Sequence, residues 1–193
     1  MSDVFPVTVI VAIAIFLLKE VIEAIRRARA DGRKRRALKT LLAAEIERNH
    51  FTIRRLSEVL KDVEAARAAG DVIEIRRDTN GRPMLRVQTS KGESVVPVPV
   101  VHTEAIGKHL LELASLDPGL FEQAVATSDA LGELERVRSS LVEFVSAKAS
   151  GAEFVPLAGF SEYGLREASR ALDALKALYL LCAGAPLTEA IVR

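Results

Sequence analysis

Apolar residues follow three different rhythms along the chain. Residues 4–18, VFPVTVIVAIAIFLL, contain one polar side chain, Thr8. From residue 33 to 69 apolar positions recur every three or four residues, at Leu38, Leu42, Ile46, Ile53, Leu56, Leu60 and Val63, with Asn49 in the same row. That spacing predicts a long amphipathic helix from about Arg33 to Ala69 that ends at Gly70, following a first helix loosened or bent by Asp31-Gly32. Between residues 72 and 101 the pattern predicts strands. VIEIRR at 72–77, a turn at Asn80-Gly81, residues 82–89, a second turn at 90–93 and residues 94–101 make an antiparallel meander. Pro97 and Pro99 confine the last segment to a sheet edge or to irregular structure. Val72, Ile73, Ile75, Leu85 and Val87 then need helices as cover.

The helical rhythm returns afterwards. Thr103 is placed to cap a helix over 104–115, and Asp117 to cap one that starts at Pro118 and continues to about 149 with irregularity near Gly132. Ser161 is placed to cap a final helix over 162–183, and Gly184-Ala185-Pro186 stops it.

Residues 4–18 are expected to anchor the chain in a bilayer. Fifteen helical residues rise about 22 Å, and Lys19, by snorkelling, together with Val21, Ile22 and Ile25 extends the apolar stretch. Pro6 is tolerated in the first turn. A cleavable leader fits poorly, because no basic residue precedes the run and no small-x-small site closes it. The expected fold class is mainly α, with an N-terminal transmembrane helix followed by an α-helical domain carrying a small antiparallel β-meander. The expected division is 1–25 membrane anchor, 26–70 basic collar and long amphipathic helix, 71–101 β-meander and 102–193 the helical part of a cytoplasmic domain.

Charge adds an orientation. The formal total is +1, from 27 basic and 26 acidic residues, yet residues 19–39 hold nine basic and three acidic side chains. Lys19, Arg26, Arg27, Arg29, Arg33, Lys34, Arg35, Arg36 and Lys39 all follow the apolar run and read as the membrane boundary. They put the short N-terminus outside and the body in the cytoplasm of a single-pass protein, with a bacterial inner membrane as the favoured setting. A basic cluster beside an anchor follows from topology alone, and no nucleic-acid motif or aromatic stacking pattern accompanies it. Specific nucleic-acid binding is therefore not expected.

Candidate chemistry is sparse. Cys182 is the single cysteine, so no intrachain disulfide or multi-cysteine site forms, and its neighbours read as buried helix. His50, His102 and His109 match no metal spacing, and a pair seven residues apart on a helix is too distant for easy chelation. Glu45 and Glu47, Asp62 and Glu64, and Glu133 and Glu135 point to different helix faces. No nucleophile elbow or phosphate-binding glycine loop occurs. Catalytic residues remain unidentified, and neither a cofactor nor a metal is expected.

The preferred function is a membrane-anchored scaffold that acts through helix-mediated association. Leu42, Ile46, Asn49, Ile53, Leu56, Leu60 and Val63 form the candidate association face. Leu42, Asn49, Leu56 and Val63 lie seven apart, as in a coiled-coil seam in which Asn49 pairs with its counterpart. Packing of the same stripe inside one subunit is the competing reading. Ile53→Asp and Leu60→Asp are expected to impair assembly. The expected partners are the lipid bilayer and either a second copy or another membrane protein. The alternative is a membrane-bound enzyme of unknown reaction class, supported if Glu45, His50, His102, His109 and Tyr163 converge in one pocket.

Overall fold

A computed structural model describes residues 7–90, 92–149 and 159–188. Helix α1 runs without interruption over Val7–Ala69, about 95 Å at 1.5 Å per residue. The helix is unbroken at Asp31-Gly32, where a loosening or bend was expected. Gly32 costs a helix roughly 1 kcal/mol relative to alanine, and strong helix formers on both sides carry the backbone through it. The helix ends where Gly70 adopts a φ of 73°. There Gly70 N donates to Arg67 O at 3.2 Å and Asp71 N to Ala66 O at 2.9 Å, the paired bonds that close a helix on a left-handed glycine.

The expectation of a transmembrane helix is overturned. Among the described residues no helix is long and apolar enough to cross a membrane. Residues 4–6 of the proposed anchor lie outside the described residues. From Val7 the uncharged run reaches Leu18, about 18 Å of helix, against a hydrocarbon core about 30 Å thick. Lys19, Glu20 and Glu23 then interrupt it. The single-pass topology, the inner-membrane setting, the bilayer as partner and the membrane-anchored form of both functional readings lose their basis together. A mainly α-helical chain with a small antiparallel sheet remains.

Strands β1 (Val72–Arg77), β2 (Pro83–Thr89) and β3 (Gly92–Pro97) form that sheet in the order β1-β2-β3, both pairs antiparallel. The first turn is organised by Asp78, whose carboxylate accepts from Asn80 N and Arg82 N at 2.8 Å each, with Gly81 at a φ of 77°. Ile73 and Leu85 are buried against the helices, whereas Val72, expected to share their cover, is exposed. The reason is alternation: Val72 sits on the face of Glu74 and Arg76. Val98 N donates to Pro83 O at 3.0 Å. In the alternating ladder Pro97 therefore turns its nitrogen away from β2, and its missing donor costs no bond.

Helices α2 (Glu104–Leu116), α3 (Pro118–Ala149) and α4 (Phe160–Ala183) complete the fold. Asp117 caps α3 as expected, accepting from Leu120 N at 3.2 Å. Neither Thr103 nor Ser161 makes a capping bond. Thr103 has no side-chain cap bond, and α4 begins at Phe160 after a left-handed Gly159. From Leu38 onward α1 forms the spine of the core, packed against α4, α2 and the inner face of the sheet, while α3 packs on α2, α4 and β1.

Gly164 on α4 sits at a tight helix crossing. A Cβ there would lie 2.9 Å from Leu60 Cδ1 and 3.0 Å from Val137 Cγ1, two residues that are themselves buried. Gly164→Leu is therefore expected to destabilise the fold by about 3 kcal/mol through overpacking. Urea denaturation followed by circular dichroism measures this, and an unchanged midpoint would show that α4 shifts without cost.

Candidate functional site

Among the described residues, two exposed surfaces stand out on α1. The first is a groove of about 910 Å³ between the helix and residues 96–102. Glu47, Phe51, Arg55, Glu58 and Asp62 recur at helical spacing along one wall, and Val96, Pro97, Pro99, Val100 and His102 form the other. Arg55 lies 5.5 Å from the Phe51 ring centroid and 2.9 Å from the Glu58 carboxylate.

The irregular wall is held from both sides. Asn49 Nδ2 donates to His102 O at 2.6 Å, and His102 N donates back to Asn49 Oδ1 at 2.9 Å. Thr52 Oγ1 donates to Val100 O at 3.1 Å, and from α3 Arg138 Nε donates to Pro99 O at 2.8 Å. Side chains thus replace the ladder that this stretch leaves behind, as an enclosed backbone requires. One turn before Asn49, the Glu45 carboxylate accepts from Ala105 N at 2.7 Å and Ile106 N at 3.0 Å. It performs the capping expected of Thr103, from a position some sixty residues away in sequence.

These contacts decide where the candidate association face goes. Leu42, Ile46, Asn49, Ile53, Leu56, Leu60 and Val63 are all buried within the chain's own core, and Asn49 spends its amide on His102. The row packs within one subunit.

The residues proposed to converge on a pocket are dispersed. His102 alone of the five lines the groove. Glu45 is buried at the α2 N-terminus, and His109 on α2 is 3.2 Å from Glu112. On α4, Tyr163 donates its hydroxyl to Glu133 of α3. That bond, followed by desolvation, raises the phenol pKa above its ordinary value. Tyr179 is raised in the same way by its 2.9 Å bond to Glu47. Burial pushes the Cys182 thiol up to about 11, so it stays protonated and weakly nucleophilic near neutrality. Among the described residues no group of three or more His, Cys, Asp or Glu side chains is placed to hold a metal ion.

The nine basic residues assigned to a membrane boundary divide in two. Arg35 and Lys39 brace the body. Arg35 donates to Leu116 O at the end of α2 and lies 3.7 Å from Asp117, while Lys39 Nζ donates to Leu181 O near the end of α4 at 2.8 Å. Cations at helix C-termini meet the negative end of the dipole. Lys19 and Arg27 pair along the helix with Glu23 at 3.9 and 3.4 Å. Arg26, Arg29, Arg33, Lys34 and Arg36 are exposed.

The second surface is the N-terminal arm of α1. No side chain described before Leu38 is buried. Eleven large apolar residues are exposed between Val9 and Ile25, among them Ile15 at 63%, Leu18 at 61% and Ile22 at 42%. The sequence reading assigned this run to a bilayer because it treated the run as uniformly apolar. The available signal was spacing, since Val11, Ile15, Leu18, Ile22 and Ile25 follow one another by four, three, four and three residues. The chain matches no family model, no curated protein and no solved structure, so its function is read from its own geometry.

Proposed function

We propose that this chain is a noncatalytic association protein whose contact surface is the apolar arm of α1 and whose partner is a further copy of itself. The observation that carries this reading is the exposure of eleven large apolar side chains on one uninterrupted helix. Helices apolar over most of their circumference are ordinarily enclosed, and burial stabilises by about 25 cal/mol per Å² of apolar surface. Among the described residues the body supplies no cover for the arm, because α2, α4 and the sheet pack on the stripe that begins at Leu38. A rigid, continuous helix also limits the entropy lost when copies meet. The groove beside Phe51 supports a secondary contact, but its apolar walls are short and its rim is charged.

The test is the mass of the full chain in aqueous buffer, measured by light scattering beside an Ile15→Glu, Ile22→Glu variant. The expected result is a multiple of 21.0 kDa for the unaltered chain and 21.0 kDa for the variant, with equal helicity in the two. An unaltered chain that remains at 21.0 kDa at tens of micromolar sinks the proposal.

A further inference from the structure

Resting on that self-association, we infer that the arms pair antiparallel, in one register centred between Phe16 and Leu17. Val11, Ile15, Leu18, Ile22 and Ile25 are exposed, and their alternating spacing places them within roughly 40° of a common line down the helix at 100° per residue. That is a narrow seam for a second helix, with Ile15 and Ile22 in one class of core position and Val11, Leu18 and Ile25 in the other.

Charge chooses the direction. Residues 19–39 carry nine basic against three acidic side chains. Parallel arms hold their axes about 8–10 Å apart, so the two collars would run side by side within about one Debye length at physiological salt. In the antiparallel register Arg26 of one copy is displaced from Arg26 of the other by about 28 Å along the axis, and Arg33 from Arg33 by about 50 Å. Screening then removes most of the repulsion. This register sets Val11 against Ile22 and Ile15 against Leu18 of the other copy. Lys19 meets Ala12 rather than a second lysine, and the helix dipoles oppose one another.

The flanks fall unequally. Ala14, Val21 and Ala28 line one side of the seam, while Lys19 and Arg26 line the other. Antiparallel pairing places the two apolar flanks together, with Ile10 and Leu17 beside them. The pair therefore presents one charged face and one apolar face. Two pairs stack on the latter, and the assembly contains an even number of copies, related by closed two-fold symmetry.

Cysteine cross-linking of full-length chains tests the direction, with Cys182→Ala as background and a C-terminal tag on one chain to identify products. Val11→Cys and Ile22→Cys chains are expected to form a disulfide when mixed and oxidised, but neither forms one alone. Residue 11 lies about 16 Å along the axis from its own counterpart, beyond the reach of a disulfide. The background chain should have a mass that is an even multiple of 21.0 kDa. Efficient cross-linking of each variant with itself overturns the antiparallel register while leaving self-association intact, as does an odd number of copies. A chain that stays at 21.0 kDa, free or carried on phosphatidylcholine vesicles, overturns both.

Discussion

Leu60→Asp is expected to abolish cooperative folding. Leu60 is fully buried, with its methyl groups against the helix crossing at Gly164. The substitution forfeits about 2 kcal/mol of leucine burial. It also places a carboxylate in the enclosed apolar core beside Gly164, a penalty of several kcal/mol even after relaxation. A domain of this size has a total stability of about 5–15 kcal/mol, so the sum removes most or all of it. Far-UV circular dichroism should show a broad, non-cooperative thermal change, and native-state proteolysis should cut the body. Ile53→Asp, also in the core, should behave in the same way. A sharp transition within about 1 kcal/mol of the unaltered chain would refute the placement of this stripe. The control is Leu111→Asp on α2, whose side chain is 89% exposed and whose replacement is expected to leave the melting transition unchanged.

The second large effect concerns the clamp between α1 and residues 98–103. Asn49→Leu keeps the size of the side chain but leaves His102 N–H and His102 C=O without their partner, a loss of about 3 kcal/mol at roughly 1–3 kcal/mol per stranded group. Glu45→Ala removes two charge-assisted bonds at the start of α2 and is expected to cost about 2 kcal/mol. The two differ in where they act. Amide exchange should accelerate at residues 98–103 in the first variant and at Ala105 and Ile106 in the second, with urea midpoints lowered in both. If Asn49→Leu matched the unaltered chain in stability and exchange, the groove wall would owe its position to Thr52 and Arg138 alone.

Local chemistry was readable from neighbours in sequence. Gly70 ends α1, Asn80-Gly81 turns the first hairpin, Asp117 with Pro118 starts α3, and the row from Leu38 to Val63 is one face of a helix. Each depends on interactions spanning at most a few residues. The reading failed where a polar group had a distant partner. Thr103 was the local choice for a cap, but Glu45 reaches the same donors with a full charge and stays buried while doing so. Asn49 resembles a register-setting residue of a coiled coil, yet its amide matches the N–H and C=O of His102, 53 residues away. The expected site residues likewise separated onto α1, the irregular wall at His102, α2 and α4.

Periodicity and composition by themselves determined that the chain forms long amphipathic helices around a three-stranded meander, because helix and strand periods are properties of the backbone that any solvent enforces. They also determined that the chain begins with an apolar stretch followed by a basic one. What covers each apolar face was decided only in three dimensions. The stripe from Leu38 to Val63 and the arm from Val9 to Ile25 are both rich in leucine, isoleucine and valine, and hydrophobicity has no direction that distinguishes them. Among the described residues, folding brings α2, α4 and the sheet onto the first and leaves the second exposed, since the elements that pack on α1 meet it from Leu38 onward.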